Sequence, residues 1–177
     1  MATPAADRRS GLLGSSPLIF VTVGSMMAFD RLILSMDKWA QAHADSEVLA
    51  QIGDGTYRPS HMRWTRMLPP SKFQEVVRNA VIMVAHAGMG SYFVAAEMRK
   101  PIVMLPRLAV NREHTTDHQL HTLKWLRERP GVYAAMSDEE LELAIAKAMT
   151  GGSVAGAGFT SFAPEPFVRR VREFLVD

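Results

Sequence analysis

Apolar runs and helical stripes alternate along this chain. Residues 18–23 form a short, β-branched-rich apolar run that stops at Gly24-Ser25, as a strand covered on both faces would. Phe29, Leu32, Ile33, Met36, Ala40 and His43 then recur at helical spacing. Residues 47–52 read as a second strand closing on Gly53-Asp54-Gly55, and residues 62–68 as a short, poor edge strand. After Pro69-Pro70, Phe73, Val76, Val77 and Ala80 mark a helix. Another strand starts at Val81, a helix at Ser91 and a strand at Ile102. The spacing predicts a helix from about Thr115 to Arg129, a strand over 132–135, and a helix reaching Met149 behind the capping cluster Ser137-Asp138-Glu139-Glu140. Phe167, Val168, Val171, Phe174 and Leu175 form a last apolar stripe. This alternation predicts an α/β fold: a Rossmann-like parallel sheet with helices on both faces.

The densest chemical signal is Val81-Ile82-Met83-Val84-Ala85-His86-Ala87-Gly88-Met89-Gly90-Ser91. A buried strand stops abruptly in a glycine-bearing turn and a helix begins. Gly88 and Gly90 would let a ligand approach the backbone, and Ser91 would cap the helix, whose free N–H groups suit an anion. His86 stands at the rim of this cradle. The turn is not a dinucleotide fingerprint, because Phe93 occupies the place of the third glycine and the next strand ends in Arg107 rather than an acidic residue. It also lacks the Gly-Lys-Ser/Thr of a nucleoside-triphosphate loop. The plainer alternative is that both glycines serve only a tight strand-to-helix turn.

In a parallel α/β sheet, ligands bind outside the carboxyl ends of the strands. The segments at Gly24-Ser25, Gly53-Asp54, 86–91 and 107–117 would share that edge. Composition narrows the class. The chain has 177 residues, 47% apolar and 21% charged, enough for one globular, soluble domain. It has no cysteine, which removes disulfides, thiol nucleophiles and thiolate metal sites. No apolar run reaches the roughly 18–20 residues of a membrane span. Residues 1–16 read as a flexible leader, 17–150 as the binding domain, 151–163 as a glycine-rich hinge and 164–177 as an amphipathic helix. Net charge is only +2, yet nine basic residues face two acidic ones between Arg58 and Arg112. Such a belt could attract phosphates or an anionic membrane. Nucleic acid is disfavoured, since no aromatic residues interleave with the basic ones.

Three features admit rival chemistry. His114, His118 and His121 share a helix face by spacing, with Glu113 and Asp117 nearby, which raises a metal site. His86 could act as a general base or as an electrostatic helper of a leaving group. The terminal stripe could be core, a partner-docking face or a membrane-lying helix.

Beside these readings stands an ordered set of motifs. Residues 20–25 (Phe-Val-Thr-Val-Gly-Ser), Gln51-Ile52-Gly53, residues 86–91 (His-Ala-Gly-Met-Gly-Ser), Lys100-Pro101, Pro106-Arg107, Glu113-His114 and Asp117-His118-Gln119 resemble the C-terminal, donor-binding domain of family 28 glycosyltransferases. The likeness is greatest to the small stand-alone version, the donor-binding subunit of two-part transferases in bacterial exopolysaccharide and capsule assembly. The dolichol-pathway GlcNAc transferase has a similar subunit. The resemblance spans residues 18–149.

It implies a GT-B half that binds a UDP-sugar and needs no divalent metal or other cofactor. Gly24, Ser25 and Gly53 would belong to the donor site. His86, Gly88, Gly90 and Ser91 would hold the diphosphate. Arg107 would add a bidentate charge, and Asp117, His118 and Gln119 would read the sugar hydroxyls. The implied function is inverting transfer of a hexose or uronic acid to a polyprenyl-diphosphate-linked saccharide. The implied location is the cytoplasmic face of the membrane, reached through a membrane-anchored acceptor-binding subunit. Two positions depart from the family: Val94 replaces a ribose-binding glutamate, and Arg99 replaces a glycine and reads as a surface detail. The rival functions are a non-catalytic nucleotide-sugar-binding regulator and, behind it, a metal-dependent hydrolase.

Overall fold

A computed structural model describes residues 16–151, 163 and 165–176. Six parallel strands form one sheet: β1 (Leu18–Thr22), β2 (Glu47–Gln51), β3 (Arg63–Thr65), β4 (Ile82–His86), β5 (Ile102–Leu105) and β6 (Val132–Ala134). Their order across the sheet is β3-β2-β1-β4-β5-β6. The order therefore runs outward in opposite directions from the β1–β4 pair, where Ile19 lies beside Ile82 and Thr22 beside Ala85. This is the doubly wound arrangement expected from the alternating pattern.

The helices cover both faces. One apolar layer joins Ile19 and Val21 of β1 to α1 (Asp30–Ala42) and α5 (Leu141–Thr150). The other joins Phe20 to α2 (Pro70–Asn79), α3 (Met89–Glu97) and α4 (His118–Leu126). Neighbouring residues of β1 thus enter opposite layers, which is why the strand reads as continuously apolar.

Three local expectations need correction. Ser91 does not cap α3; Gly88 occupies that position without a side-chain cap, and Ser91 lies inside the first turn. The helix expected from about Thr115 starts at His118, because the carboxylates of Glu113 and Asp117 take the N–H groups of Leu108 (2.9 Å) and Ala109 (2.8 Å) and hold that segment as a loop. Residues 137–140 lie ahead of α5, and Glu140 accepts from the Met136 N–H at 2.8 Å.

Arg99 is also more than a surface detail. It has φ of 53°, the left-handed region. Its N–H bonds to Ala96 O and that of Lys100 to Ala95 O, the paired bonds of a Schellman helix end. The backbone there prefers glycine for want of a Cβ. Arg99→Gly is therefore expected to raise stability by up to ~1 kcal/mol, read as a higher urea midpoint with unchanged slope. Lys100 completes the junction by donating to Arg78 O (2.5 Å) and Ala80 O (2.7 Å) at the end of α2.

Residues 1–15 of the expected leader and most of the 151–163 hinge fall outside the described residues. The final helix, α6 (Glu165–Val176), exposes its stripe: Phe174 is 83% and Leu175 75% accessible. The core reading of the stripe is thus not supported. Among the described residues, no helix is long and apolar enough to cross a membrane.

Candidate functional site

A cleft of about 430 Å³ opens where the strand order reverses, above the carboxyl ends of β1 and β4. Its walls come from the segments after β1, β3, β4 and β5 together with α2 and α3.

Gln51, at the end of β2, ties these walls together. It is buried, and its Oε1 accepts from the Leu68 N–H at 2.9 Å. Its Nε2 donates to Thr22 Oγ1 (3.4 Å) and Gly24 O (3.3 Å). Thr22 Oγ1 also accepts from the Gly24 N–H at 3.1 Å. One amide therefore fixes both the β1 turn and the segment leading to α2.

His86 ends β4, with its ring packed between two glycines. A Cβ on Gly24 would come within 2.7 Å of His86 Cε1, and one on Gly88 within 2.2 Å of Nε2. Gly24 also has φ of +83°, so both space and backbone call for glycine there. Gly88 has an ordinary extended backbone (φ −103°) and is glycine only to make room for the ring. Ser91 Oγ lies 3.5 Å from His86 Nδ1. Burial lowers the imidazole pKa to about 4, helped by the nearby Arg107 guanidinium. The ring is consequently neutral at pH 7.

Arg107 is 3% exposed although it lines the cleft. Its Nη2 donates to Val23 O (2.8 Å) and Met27 O (2.6 Å), and its guanidinium lies 5.0 Å above the Phe29 ring. Among the described residues, its Nε has no hydrogen-bond partner. With Nη2 committed to two carbonyls, the fork is not open for the expected two-pronged grip on a ligand. Arg107 instead holds the β1–α1 segment that carries Gly24 and Ser25.

Of the residues singled out by sequence, Gly24, Ser25, His86, Gly90, Ser91 and Arg107 line the cleft. Gly88 borders it through His86, but its own N–H is bonded to His86 O at 2.8 Å and is not available to a phosphate. Gly53, Asp117, His118 and Gln119 are not brought to the cleft. Gly53 turns the chain after β2 at φ +56° and pairs with Arg66 O. Gln119 is buried and accepts from the Arg107 N–H at 3.0 Å, so it positions Arg107. Asp117 holds Ala109, and the exposed His118 packs edge-on to His114 at 4.4 Å. Among the described residues, no three His, Asp or Glu side chains converge as a metal site requires.

Most of the basic belt lies away from the cleft, and part of it is held within the fold. Arg58 and Arg66 donate to the carbonyls of Gly55 and Gly53, Arg63 pairs with Glu47 and Lys72 with Glu75. Only Arg107 of the belt lines the cleft.

Sequence reasoning missed Thr22 and Gln51 as wall residues, and the apolar set Met67, Leu68, Pro70, Phe73 and Val94. Gln51 did carry a signal, a polar residue ending a strand beside the point where the order reverses.

What remains at the cleft floor is anion chemistry. The first-turn N–H groups of α3 have no acceptor within the helix, and no side chain caps them. Gly90 has open space where a Cβ would stand. Among the described residues, no carboxylate lines the cleft. Fold and site together define an α/β domain with an uncapped helix N-terminus at its cleft, an arrangement suited to an anion.

The comparisons specify the class. The glycosyltransferase family 28 C-terminal domain matches residues 18–155, and the chain belongs to that family. Its fold is that of the C-terminal half of GT-B glycosyltransferases. Solved structures of the same fold include the glycotransferase of kitacinnamycin (17% identity, TM-score 0.57, 83% of this chain and 40% of that one). The solution structure of ALG13 is similar over 89% of this chain and 95% of that one, with 13% identity and TM-score 0.58. So is UDP-GlcNAc 2-epimerase of Methanocaldococcus jannaschii in complex with UDP-GlcNAc and UDP (11% identity, TM-score 0.59, 90% and 46%). The chain spans 40% of the length of the kitacinnamycin enzyme. Among curated proteins there is no sequence match.

Proposed function

We propose that this chain is the UDP-sugar-binding half of a split inverting glycosyltransferase. The observation that carries the reading is the uncapped N-terminus of α3, opening onto a cleft that contains His86 and Arg107 and, among the described residues, no carboxylate. A diphosphate there is met by the N–H groups of Gly90 and Ser91, the Ser91 and Ser25 hydroxyls and the helix dipole. No divalent metal is needed for that neutralisation. The neutral His86 ring polarises or donates to the phosphate. With a pKa near 4 it is too weak a base to take the acceptor's proton at pH 7. The general base therefore comes from the second half.

Support for a second half lies on the same edge. Met26, after β1, is 88% exposed and Val110, after β5, 84%. Met26 lines the cleft and Val110 stands on the same sheet edge, and exposed apolar side chains there suit coverage by another domain. The exposed stripe of α6 suits it too. In this reading the partner is membrane-anchored and supplies the acceptor, a polyprenyl-diphosphate-linked saccharide of exopolysaccharide or capsule assembly. The sugar delivered is a hexose or uronic acid.

Titrating UDP into the chain with EDTA present is expected to give saturable heats. Binding that requires an added divalent metal would overturn the metal-free reading, and no binding would overturn the donor site. Sugar transfer is expected only after co-expression with the anchored partner; robust transfer by the isolated chain would sink the split enzyme.

A further inference from the structure

We infer that the nucleoside end of this cleft does not read the ribose 2′-hydroxyl, so that pyrimidine ribonucleotide and 2′-deoxyribonucleotide donors bind alike. The inference rests on the nucleotide-sugar reading above.

The cleft has two chemically distinct ends. Thr22, Ser25, His86, Ser91 and Arg107 gather at the first turn of α3. From Gly90 the same helix face continues to Val94, four residues on. Beyond Val94 the wall is Phe73 and Pro70 of α2 with Met67 and Leu68 of the segment before it. If the diphosphate occupies the polar end, the nucleoside extends over this second wall.

A sugar hydroxyl is read by a side chain that accepts its proton, usually a carboxylate or amide. Among the described residues, none is available at the apolar end. Glu75 of α2 is exposed and paired with Lys72 at 2.7 Å, and Glu97 of α3 is exposed and does not line the cleft. Among the described residues that line the cleft, Gln51 carries the amide, and both its polar atoms are already bonded within the walls. A 2′-hydroxyl placed here gains no side-chain acceptor from these elements, and its removal costs nothing. The apolar wall accepts the flat face of a pyrimidine, and a 5-methyl group adds contact rather than conflict.

The test is calorimetric titration of the full chain with UDP, 2′-deoxy-UDP and dTDP, all with EDTA. The three dissociation constants are expected to agree within about threefold. Either deoxynucleotide binding about tenfold or more weakly than UDP would overturn the inference while leaving the nucleotide site standing. Failure of all three to bind would instead overturn the nucleotide reading itself. Val94→Glu supplies the missing acceptor on an accessible helix position. It is expected to create a preference for UDP over 2′-deoxy-UDP on the order of tenfold. An unchanged ratio in that variant would remove the ribose from beside Val94, and the inference would fall with it.

Discussion

Arg107→Ala is expected to destabilise the chain by about 3 kcal/mol or more and to weaken UDP binding at least tenfold. The guanidinium is nearly sealed from water, so its hydrogen bonds to Val23 O and Met27 O form in a low-dielectric setting. Truncation leaves both carbonyls without a donor and opens a gap over the Phe29 ring. The β1–α1 segment then loses the contact that holds it against β5, and Gly24 and Ser25 leave their places at the cleft. Urea denaturation measures the first effect and calorimetry the second. A variant as stable as the wild type would show that the segment is held by something else. Full stability with lost binding would restore Arg107 to the direct phosphate contact first expected of it.

The second large effect concerns His86 and the glycine that houses it. Gly88→Ala is expected to weaken donor binding roughly tenfold or more, because its Cβ occupies the space of the imidazole. In a His86→Ala background the same change is expected to cost little, since the Gly88 backbone suits any residue. Additive losses would mean that the glycine serves the ligand directly.

The ring also leaves a mark in the pH dependence of stability. As pH falls below 6.5, the unfolded chain protonates this histidine, whereas the folded chain resists until about 4. Stability is therefore complete above pH 6.5 and declines as the pH drops through this window, by on the order of 3 kcal/mol. His86→Gln should remove the decline. Asp30 and Asp37, whose pKa values lie below the ordinary carboxylate range, add losses only at still lower pH. A wild-type profile flat from pH 7 to 4.5 would refute the buried neutral ring.

The sheet was legible because its strands are buried on both faces and announce themselves as unbroken apolar runs. Helix starts were less so. Ser91 looks like a cap in sequence, but its hydroxyl is drawn towards His86, and the turn is made by Gly88. The cleft was half legible. Residues next to glycines, such as Ser25 and His86, were found because turns expose chemistry. Asp117, His118 and Gln119 were expected to read the sugar because the family resemblance implied it. Asp117 and Gln119 in fact fasten the loop after β5. Sequence spacing cannot separate a polar side chain aimed at a ligand from one aimed at a neighbouring backbone N–H. The apolar wall escaped notice for the converse reason, since Phe73 at helical spacing reads as core. Its ring does pack edge-on to buried Phe20 at 5.2 Å while also lining the cleft.

The amide of Gln51 carries a consequence for the order of events in the proposed transferase. Because a single buried side chain joins the β1 turn to the segment entering α2, the two banks of the cleft are set before any ligand arrives. Donor capture then spends little of its free energy on ordering the walls. Such a half can be charged with its nucleotide sugar while still alone, and it meets the acceptor-bearing half as a loaded cartridge rather than as an empty frame completed by docking.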